Sequence, residues 1–248
     1  MSSNASSYIC PSWPAPSSVR AYVSTRIGGV SGAPFDGLNL GLHVQDDPLA
    51  VMQNRQLFAS RVGMPDSIVW LNQVHGIDVA LLPCGVLPES ADAAVSYTVN
   101  QVCAVLTADC LPVFFCNQAG TQVAVAHAGW RGLCAGVLES TLAKFDEKEP
   151  IMAWLGPAIG PDAFEVGEEV REAFMSIIPD AEAAFKPAQQ KGKWLGDLYL
   201  LAKQRLVAAG VTQIYGGDYC TFTDDERFYS YRRDGKTGRM ASVIWIDG

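Results

Sequence analysis

The sequence is poor in histidine and in basic residues. Only three of its 248 residues are histidines, and its 18 lysines and arginines are outnumbered by 26 aspartates and glutamates, giving a formal net charge of −8. This balance opposes a general attraction to nucleic acid or to an anionic membrane surface. No apolar run approaches the ~18 residues of a membrane span, and the N-terminus lacks the basic start and apolar run of a signal peptide. We therefore expect a cytoplasmic protein that binds neither nucleic acid nor membranes.

The seven cysteines contain no CxxC pair and show no other regular spacing. A structural zinc site typically uses such a pair, so the sequence argues against one. In a chain without a secretory signal, this set predicts reduced thiols rather than a disulfide framework. Most of them are expected to be small side chains of the core.

A glycine-rich stretch over residues 26–43 contains neither GxxxxGK[ST] nor GxGxxG. The stretch is therefore not a nucleotide-binding glycine loop. Taken alone, such a sequence is typical of a well-packed surface turn. Because Arg26, Asn39 and His43 all lie within it, we expect a loop that faces a ligand.

Apolar runs, helix caps and helix breakers predict both strands and helices. Strands are expected at residues 19–25, 67–71, 77–82, 102–106, 111–116, 123–126, 151–155, 213–215, 228–231 and 241–246. Helices are expected from an N-cap at Asp47 to Gly63, over residues 131–145, over the apolar positions 170–178 before Pro179, and from an N-cap at Asp197 to Gly210. Residues 186–193 are expected to form a polar loop.

The predicted strands arrive in clusters and do not alternate strictly with helices. This order favours an α+β fold with a mixed sheet over a doubly wound fold. Residues 1–18 are rich in serine and proline and are expected to form a flexible lead-in. Because no repeat or low-complexity tract divides the remainder, residues 19–248 are expected to form a single catalytic domain.

Three side chains suited to metal binding stand at the ends of predicted strands. His75 and Cys110 lie in turns between strands, and His127 follows the end of another. A catalytic zinc uses three protein ligands and keeps a fourth position open, and it binds imidazole and thiolate well. Any one of these residues alone is more often a core or hydrogen-bonded group. Because all three occur together, a metal site and a purely structural role are equally good interpretations.

The same residues permit a second chemistry. Cys110 could act as a nucleophilic thiolate activated by His127 without any metal, and the sequence leaves both possibilities open. The neighbouring Asp109 could orient a liganding histidine or act as a general acid or base. Its plain alternative is a cap or turn residue.

The densest basic cluster of this acidic chain lies at residues 228–239 and includes Arg232 and Arg233. A solvated turn is the plain interpretation. Arginine also binds phosphate through paired hydrogen bonds. With Arg26 and Arg131 near other strand ends, the cluster indicates a phosphate or a phosphorylated substrate beside the metal.

Seven segments together resemble one family closely. They are Thr25-Arg-Ile-Gly-Gly-Val-Ser, Leu38-Asn-Leu-Gly-Leu-His-Val, Asn72-Gln-Val-His-Gly, Thr107-Ala-Asp-Cys-Leu-Pro-Val, Ala126-His-Ala-Gly-Trp-Arg-Gly, Gly156-Pro-Ala-Ile-Gly and Ser230-Tyr-Arg-Arg-Asp-Gly. The chain resembles the YfiH-like family, also called laccase-domain or multicopper polyphenol oxidase proteins, whose members are described as purine nucleoside phosphorylases. The likeness extends from about residue 19 to residue 245.

The resemblance implies a fold of mixed β-sheets sandwiched between helical layers, similar to the catalytic domain of cytotoxic necrotizing factor. It implies a zinc site at His75, Cys110 and His127. It also implies phosphorolysis of adenosine, inosine and 5′-methylthioadenosine to a base and ribose 1-phosphate, together with adenosine deamination. Our own hypothesis from the residues is that Asp109, Cys110 and His127 are catalytic. We also expect the nucleoside and phosphate to be bound by Arg26, Asn39, His43, Gln73, Arg131, Arg232 and Arg233.

Three alternatives stay open beside this resemblance. One is a non-enzymatic metal-binding or scaffold protein, which would bind zinc and turn over nothing. The likeness to cytotoxic necrotizing factor, a Cys–His deamidase, keeps a Cys–His amidohydrolase in view, but only by analogy of fold. A copper-linked polyphenol oxidase fits poorly, because a blue-copper oxidase needs many more histidines than three. Copper is expected only as a substitute for zinc.

Overall fold

In the computed structural model, which describes residues 6–86, 88–146 and 149–248, the chain combines three β-sheets with six α-helices. The strands are β1 (Tyr8–Ile9), β2 (Val19–Ser24), β3 (Ile68–Trp70), β4 (Val79–Leu82), β5 (Ala93–Ser96), β6 (Val102–Thr107), β7 (Leu111–Asn117), β8 (Val123–Ala128), β9 (Ile151–Leu155), β10 (Glu165–Gly167), β11 (Phe185–Pro187), β12 (Lys193–Gly196), β13 (Gln213–Gly216) and β14 (Met240–Ile246). The α-helices are α1 (Pro48–Val62), α2 (Trp130–Ala135), α3 (Val137–Leu142), α4 (Glu168–Met175), α5 (Leu198–Ala208) and α6 (Tyr231–Asp234).

The two larger sheets pack face to face. One has the order β1-β2-β14-β6-β3 and the other the order β13-β9-β7-β8-β5-β4, and each contains both parallel and antiparallel pairs. Side chains such as Val105, Phe114 and Ile244 fill the space between them. The third sheet, with the order β10-β12-β11, is small.

Helices cover the outer faces of this pair of sheets. Phe58 of α1 packs on the five-stranded sheet, whereas Leu138 of α3 and Leu201 of α5 pack on the six-stranded sheet. Strand residues alternate between the two environments: in β7, Phe115 points toward the helices and Phe114 toward the other sheet. Burial on both faces explains why β6, β7 and β8 are continuous apolar runs in the sequence. The predicted α+β fold with mixed sheets between helical layers is confirmed.

The prediction of one continuous helix over residues 131–145 is wrong. The segment is divided into α2 and α3 at Gly136, which has a φ of 110° and whose N–H donates to the carbonyl of Gly132. This left-handed conformation suits glycine and ends a helix. Phe145, expected at the end of the helix, lies beyond α3 but is still buried in the core.

The predicted strand over residues 228–231 is also wrong. Ser230 instead caps the short helix α6, its side chain accepting a hydrogen bond from the N–H of Arg233. Phe228 and Tyr229 are fully buried in a small cluster with Met240. Their aromatic character therefore reflects packing in the core and not pairing in a sheet.

Three further boundaries differ from expectation. The predicted loop at residues 186–193 is flanked by paired strands, because β11 and β12 form an antiparallel hairpin. The helix expected to reach Pro179 ends at Met175. Of the predicted lead-in, residues 1–5 lie outside the described residues, and β1 pairs with β2 in the register Tyr8 to Ser24.

All seven cysteines are free thiols, as predicted. Among the described residues, none of the helices combines the length and apolar character needed to cross a lipid bilayer.

Candidate functional site

His75, Cys110 and His127 come together at one end of the two larger sheets. His75 lies in the loop between β3 and β4, Cys110 in the turn between β6 and β7, and His127 in β8. Because β7 and β8 are antiparallel neighbours that pair Pro112 with His127, residues 17 apart in sequence meet. The candidate ligand atoms all lie within 4.8 Å of one another. The three side chains thus form one cluster, hereafter the metal-binding cluster.

The carboxylate of Asp92 links two of these side chains. Its oxygens accept hydrogen bonds from the backbone N–H groups of Val74, His75 and Gly76 at 3.1, 2.9 and 2.7 Å. Asp92 Oδ1 also lies 2.8 Å from Nδ1 of His127. Asp92 therefore fixes the left-handed backbone at His75, where φ is 63°, and it occupies one ring nitrogen of His127, leaving Nε2 as the nitrogen available to a metal.

Asp92 is fully buried, yet the pKa of its carboxyl group is lowered. Burial alone would raise the pKa of its carboxyl, but hydrogen bonds from His127 and Gly76 outweigh this effect and hold the pKa below its usual range. The hydrogen bonds thus favour the ionised carboxylate beside the histidine. In the sequence, Asp92 is a single aspartate before the short strand β5. It was therefore not predicted as a site residue.

Glycine permits the close approach of α2 to the cluster. A Cβ added to Gly129 would lie 2.7 Å from Cδ2 of His75 and 3.0 Å from Sγ of Cys110. A Cβ added to Gly132 would lie 2.8 Å from the carbonyl oxygen of Gly76. Because real Cβ atoms do not tolerate such contacts, both glycines are required where α2 begins.

The cluster stabilises the thiolate of Cys110. Burial raises the pKa of the thiol, but His127 and His75 outweigh burial and lower this pKa to about 6. Burial likewise lowers the pKa of His127, whereas Cys110 and Asp92 raise it to about 9. A thiolate at neutral pH is the form that binds metals and the form that attacks electrophiles.

The donor set fits zinc. In a tetrahedral site with Zn–S near 2.3 Å and Zn–N near 2.0–2.1 Å, the sulfur and nitrogen ligands lie about 3.6 Å apart. Sγ of Cys110 is 3.7 Å from Nε2 of His75. One thiolate and two imidazoles make three ligands, and the adjoining cavities leave room for a fourth from solvent or substrate.

Two cavities open onto the metal-binding cluster. The smaller cavity, of about 250 Å³, is lined by His75, Ala108, Asp109, Cys110, Trp130, Arg131, Ile159, Phe164, Leu198, Tyr231 and Arg232. The larger cavity, of about 720 Å³, is lined by Leu42, His43, Arg55, Trp70, Leu71, Asn72, Gln73, His75, Leu106, Thr107, Ala108, Cys110, His127, Tyr231 and Arg239. Each cavity contains two arginines, and they differ in their other groups: the smaller one has the carboxylate of Asp109, and the larger one has the imidazole of His43.

Asp109 is held firmly beside Cys110. Its Oδ1 accepts a hydrogen bond from the hydroxyl of Thr221 at 2.6 Å, and its Oδ2 accepts one from the backbone N–H of Arg232 at 2.7 Å. The backbone at Asp109 has a φ of 93°, a conformation that L-residues rarely adopt. This strained, anchored carboxylate lines the smaller cavity, where it can exchange a proton with a ligand.

Four of the predicted substrate-binding residues line the two cavities. His43 and Gln73 border the larger cavity, and Arg131 and Arg232 border the smaller one. The side-chain amide of Gln73 exchanges two hydrogen bonds with the backbone of Leu106, so that it ties its loop to β6. Gln73 therefore has a structural task in addition to its place at the cavity wall.

The other three predicted binding residues line neither cavity. Arg26 donates to the carbonyl of Asp225 and lies over a tyrosine ring. Arg233 donates to several carbonyls and to the carboxylate of Asp234. Asn39 is fully buried and accepts a hydrogen bond from the backbone N–H of Arg239. These side chains are engaged by the protein itself.

Arg55 of α1 and Arg239 were not predicted as site residues, yet both line the larger cavity. Arg55 lies on a helix whose sequence gives no sign of a ligand. Arg239 belongs to the basic cluster at residues 228–239, and that composition is the only signal that could have indicated it.

Comparison with known proteins relates the chain to one family. Residues 20–247 match the family model described as multi-copper polyphenol oxidoreductase laccase. The purine nucleoside phosphorylase YfiH of Escherichia coli is 58% identical over 97% of this chain and 99% of its own. A purine nucleoside phosphorylase of Pseudomonas aeruginosa is 53% identical over 96% of this chain and 98% of its own.

Solved structures agree with this relation. A protein from Neisseria meningitidis superposes with a TM-score of 0.91 at 49% identity, covering 98% of this chain and all of that one (100%). YlmD from Geobacillus stearothermophilus superposes with a TM-score of 0.92 at 30% identity, covering 100% of this chain and 98% of that one. By its sequence, its fold and its relatives, the chain belongs to the multi-copper polyphenol oxidoreductase laccase family, which includes the YfiH-like proteins.

Proposed function

We propose that the protein is a cytoplasmic, zinc-dependent purine nucleoside phosphorylase that also deaminates adenosine. Its substrates are adenosine, inosine and 5′-methylthioadenosine, with inorganic phosphate as the second reactant, and residues 19–248 act as one catalytic domain. The observation that carries the proposal is a His–Cys–His cluster bordered by two cavities, a smaller one with aromatic and aliphatic walls beside Asp109 and a larger one with two arginines and no carboxylate among its lining residues. The names of the relatives in Escherichia coli and Pseudomonas aeruginosa support the choice of substrates.

His75, Cys110 and His127 would hold the zinc ion. When bound, zinc supplies a Lewis acid that polarises a substrate group and eases the ionisation of a water molecule. Asp92 orients the two histidines. The two glycines at the start of α2 allow that helix to pack closely against the cluster. Copper would bind the same donors as a substitute for zinc.

The smaller cavity suits the purine. Trp130, Ile159 and Phe164 provide flat and aliphatic walls, which favour an uncharged aromatic ring. Asp109 lies among them and would carry a proton to or from the purine ring. Deamination uses the same group, because an incoming water must lose a proton and the departing ammonia must gain one.

Phosphorolysis balances without any external acid. An oxygen of hydrogen phosphate forms a bond to C1′ of the ribose while the bond from C1′ to the purine nitrogen breaks, and the electron pair leaves with the purine. The proton of hydrogen phosphate finally resides on the free base, and Asp109 would transfer it. Holding both reactants in adjoining cavities converts a bimolecular reaction into an effectively unimolecular one.

The decisive experiment is to incubate the zinc-loaded protein with adenosine, with and without inorganic phosphate, and to separate the products. Adenine and ribose 1-phosphate should form only with phosphate, whereas inosine should form under both conditions. His127→Ala should abolish all three products, because it removes a ligand and the partner of Asp92. Turnover by His127→Ala at the wild-type rate would contradict the proposal.

A second candidate is a Cys–His amidohydrolase, favoured by the contact between Cys110 Sγ and a histidine ring at 3.7 Å. That histidine is His75, and Cys110 also interacts with His127. Here the thiolate would attack a carboxamide carbon, and His127 would protonate the departing amine as the C–N bond breaks. Water would then hydrolyse the thioester, giving a carboxylic acid and the free thiol. The two candidates respond differently to treatment of the protein. Removal of metal should abolish purine turnover, whereas an amidohydrolase should keep its activity without metal and lose it on alkylation of Cys110.

A further inference from the structure

The larger cavity contains two arginines that lack an acidic partner. Among the described residues, no carboxylate forms an ion pair with Arg55 or Arg239. Arg55 donates from Nε and Nη2 to the single carbonyl of Leu40, at 3.0 and 2.9 Å. Arg239 donates from Nη1 to the carbonyls of Thr237 and Gly238, at 3.0 Å each. Both guanidinium groups therefore keep N–H donors free while their positions are fixed.

These two guanidinium groups are also partly desolvated. Burial lowers the pKa of Arg55 to about 10, and burial lowers that of Arg239 as well. The Trp70 ring lies 3.9 Å from the guanidinium carbon of Arg55 and holds it by a cation–π contact. A cation removed from water without a paired anion costs free energy. The charges of Cys110 and Asp109 offset part of this cost for Arg239, whereas burial alone acts on Arg55, so the retention of Arg55 indicates a ligand that supplies negative charge.

His43 completes the group. It lines the same cavity, in a short helical turn over Leu42–Val44, and its pKa is lowered first by burial and then by the charges of Arg239 and Arg55. The positive charges of the two arginines thus both disfavour protonation of the His43 imidazole. The three side chains line the same cavity as the metal-binding cluster, and the charge of Arg239 acts on Cys110 of that cluster.

We propose that Arg55, Arg239 and His43 form the subsite for the phosphoryl group that the protein uses, hereafter the anion subsite. The inference rests on the proposed function and names where its phosphate binds. It also separates the phosphate from the arginines of the Ser230-Tyr-Arg-Arg segment. Arg233 is occupied by Asp234 and by carbonyls, and Arg232 donates to the carbonyl of Glu165 and borders the smaller cavity assigned to the purine.

The arrangement agrees with the direction of the reaction. With the purine in the smaller cavity and phosphate at the anion subsite, the ribose lies between them beside the metal-binding cluster. Phosphate then approaches C1′ from the side opposite the departing purine, which is the geometry of a displacement. The overall charge of −8 opposes phosphate elsewhere on the protein, so a local basic site is needed to capture it.

The test measures binding of inorganic phosphate to the zinc-loaded protein by calorimetry, without any nucleoside. Arg55→Gln and Arg239→Gln should each raise the dissociation constant by at least about tenfold, since each removes a desolvated charged donor. Arg20→Gln is the matched control, because its guanidinium pairs with Asp247 away from both cavities. It should leave phosphate affinity unchanged, as should Arg232→Gln.

Turnover gives the second measurement. Arg55→Gln should raise the KM for phosphate at least about tenfold in phosphorolysis and change the KM for adenosine in deamination less than about twofold. If the protein fails to cleave any purine nucleoside but Arg55→Gln still weakens phosphate binding, the anion subsite stands and the proposed function falls. Adenosine 5′-monophosphate is the second probe. Binding of this nucleotide, and not of free phosphate, that is lost in Arg55→Gln would assign the subsite to a substrate phosphate.

Two results would overturn the anion subsite. The first is wild-type phosphate affinity in both Arg55→Gln and Arg239→Gln, with thermal unfolding showing that each variant is folded. The second is a loss of phosphate affinity confined to Arg232→Gln, which would place the anion in the smaller cavity.

Discussion

The smaller and the larger cavity share one wall, and the residues that line their other walls differ. His75, Cys110 and Tyr231 border both. The remaining wall of the smaller cavity combines apolar side chains with the carboxylate of Asp109 and the guanidinium groups of Arg131 and Arg232. That of the larger cavity contains the guanidinium groups of Arg55 and Arg239 and the imidazole of His43, with no carboxylate among its lining residues. A single metal-binding cluster therefore faces two cavities that differ in charge, because a carboxylate accompanies the arginines of only the smaller one. Under the proposed function, the smaller cavity would receive the uncharged ring and the larger one the anion.

The strongest way to test this contrast is to remove the acid of the smaller cavity. Asp109→Asn should lower kcat for both phosphorolysis and deamination by about 10²–10⁴-fold, the range that general acid–base groups contribute. Zinc content and phosphate affinity should be unchanged, because neither depends on this carboxylate. The measurements are steady-state kinetics and elemental analysis of the purified variant.

Asp162→Asn serves as the control, since Asp162 is an exposed acid of a nearby turn. It should retain wild-type rates. An Asp109→Asn variant with full activity and bound zinc would remove Asp109 from the mechanism.

A second variant should affect both cavities equally. Asp92→Asn replaces the charge that orients His127 by an amide whose N–H₂ group opposes the N–H donors of Val74 and Gly76. Zinc affinity should fall about 10–100-fold, as is usual when the partner of a liganding histidine is lost. Competition with a chelator measures this affinity.

Excess zinc should restore part of both activities in Asp92→Asn and should do so in parallel. Recovery of only one activity would show that the two reactions do not share the cluster.

The smallest effect is expected from the wall of the smaller cavity. Phe164→Leu keeps the side chain apolar but removes the flat ring, so the KM for adenosine should rise about two- to tenfold, corresponding to ~0.5–1.5 kcal/mol of aromatic contact. The KM for phosphate should not change. Arg55→Gln should show the opposite selectivity, and the pair of variants therefore measures how independent the two cavities are.

Several features of the molecule could be predicted from the sequence because they depend on local patterns. The apolar runs of β6, β7 and β8 are buried on both faces, and polar residues at their ends are conspicuous. His75, Cys110 and His127 were found in this way, and the structure brings them together. Their roles as zinc ligands stay a prediction.

Other features depend on distant contacts and leave little trace in the sequence. Asp92 is a single acid before a short strand, and its four hydrogen-bond partners lie 16 to 35 residues away. Arg55 looks like any charged residue of an amphipathic helix until the fold places Trp70 and Leu40 against it. The break at Gly136 was missed because the apolar positions on either side continue a helical period.

The position of Tyr231 has a practical consequence for inhibitor design. This side chain is 61% exposed and stands where the two cavities meet. A rigid molecule that joins a purine-like ring to an acidic group through a short spacer would occupy both cavities at once and would press against the phenol. Because the two halves are linked, the second half would bind at a high effective concentration, so such a compound should exceed the affinity of either fragment by far.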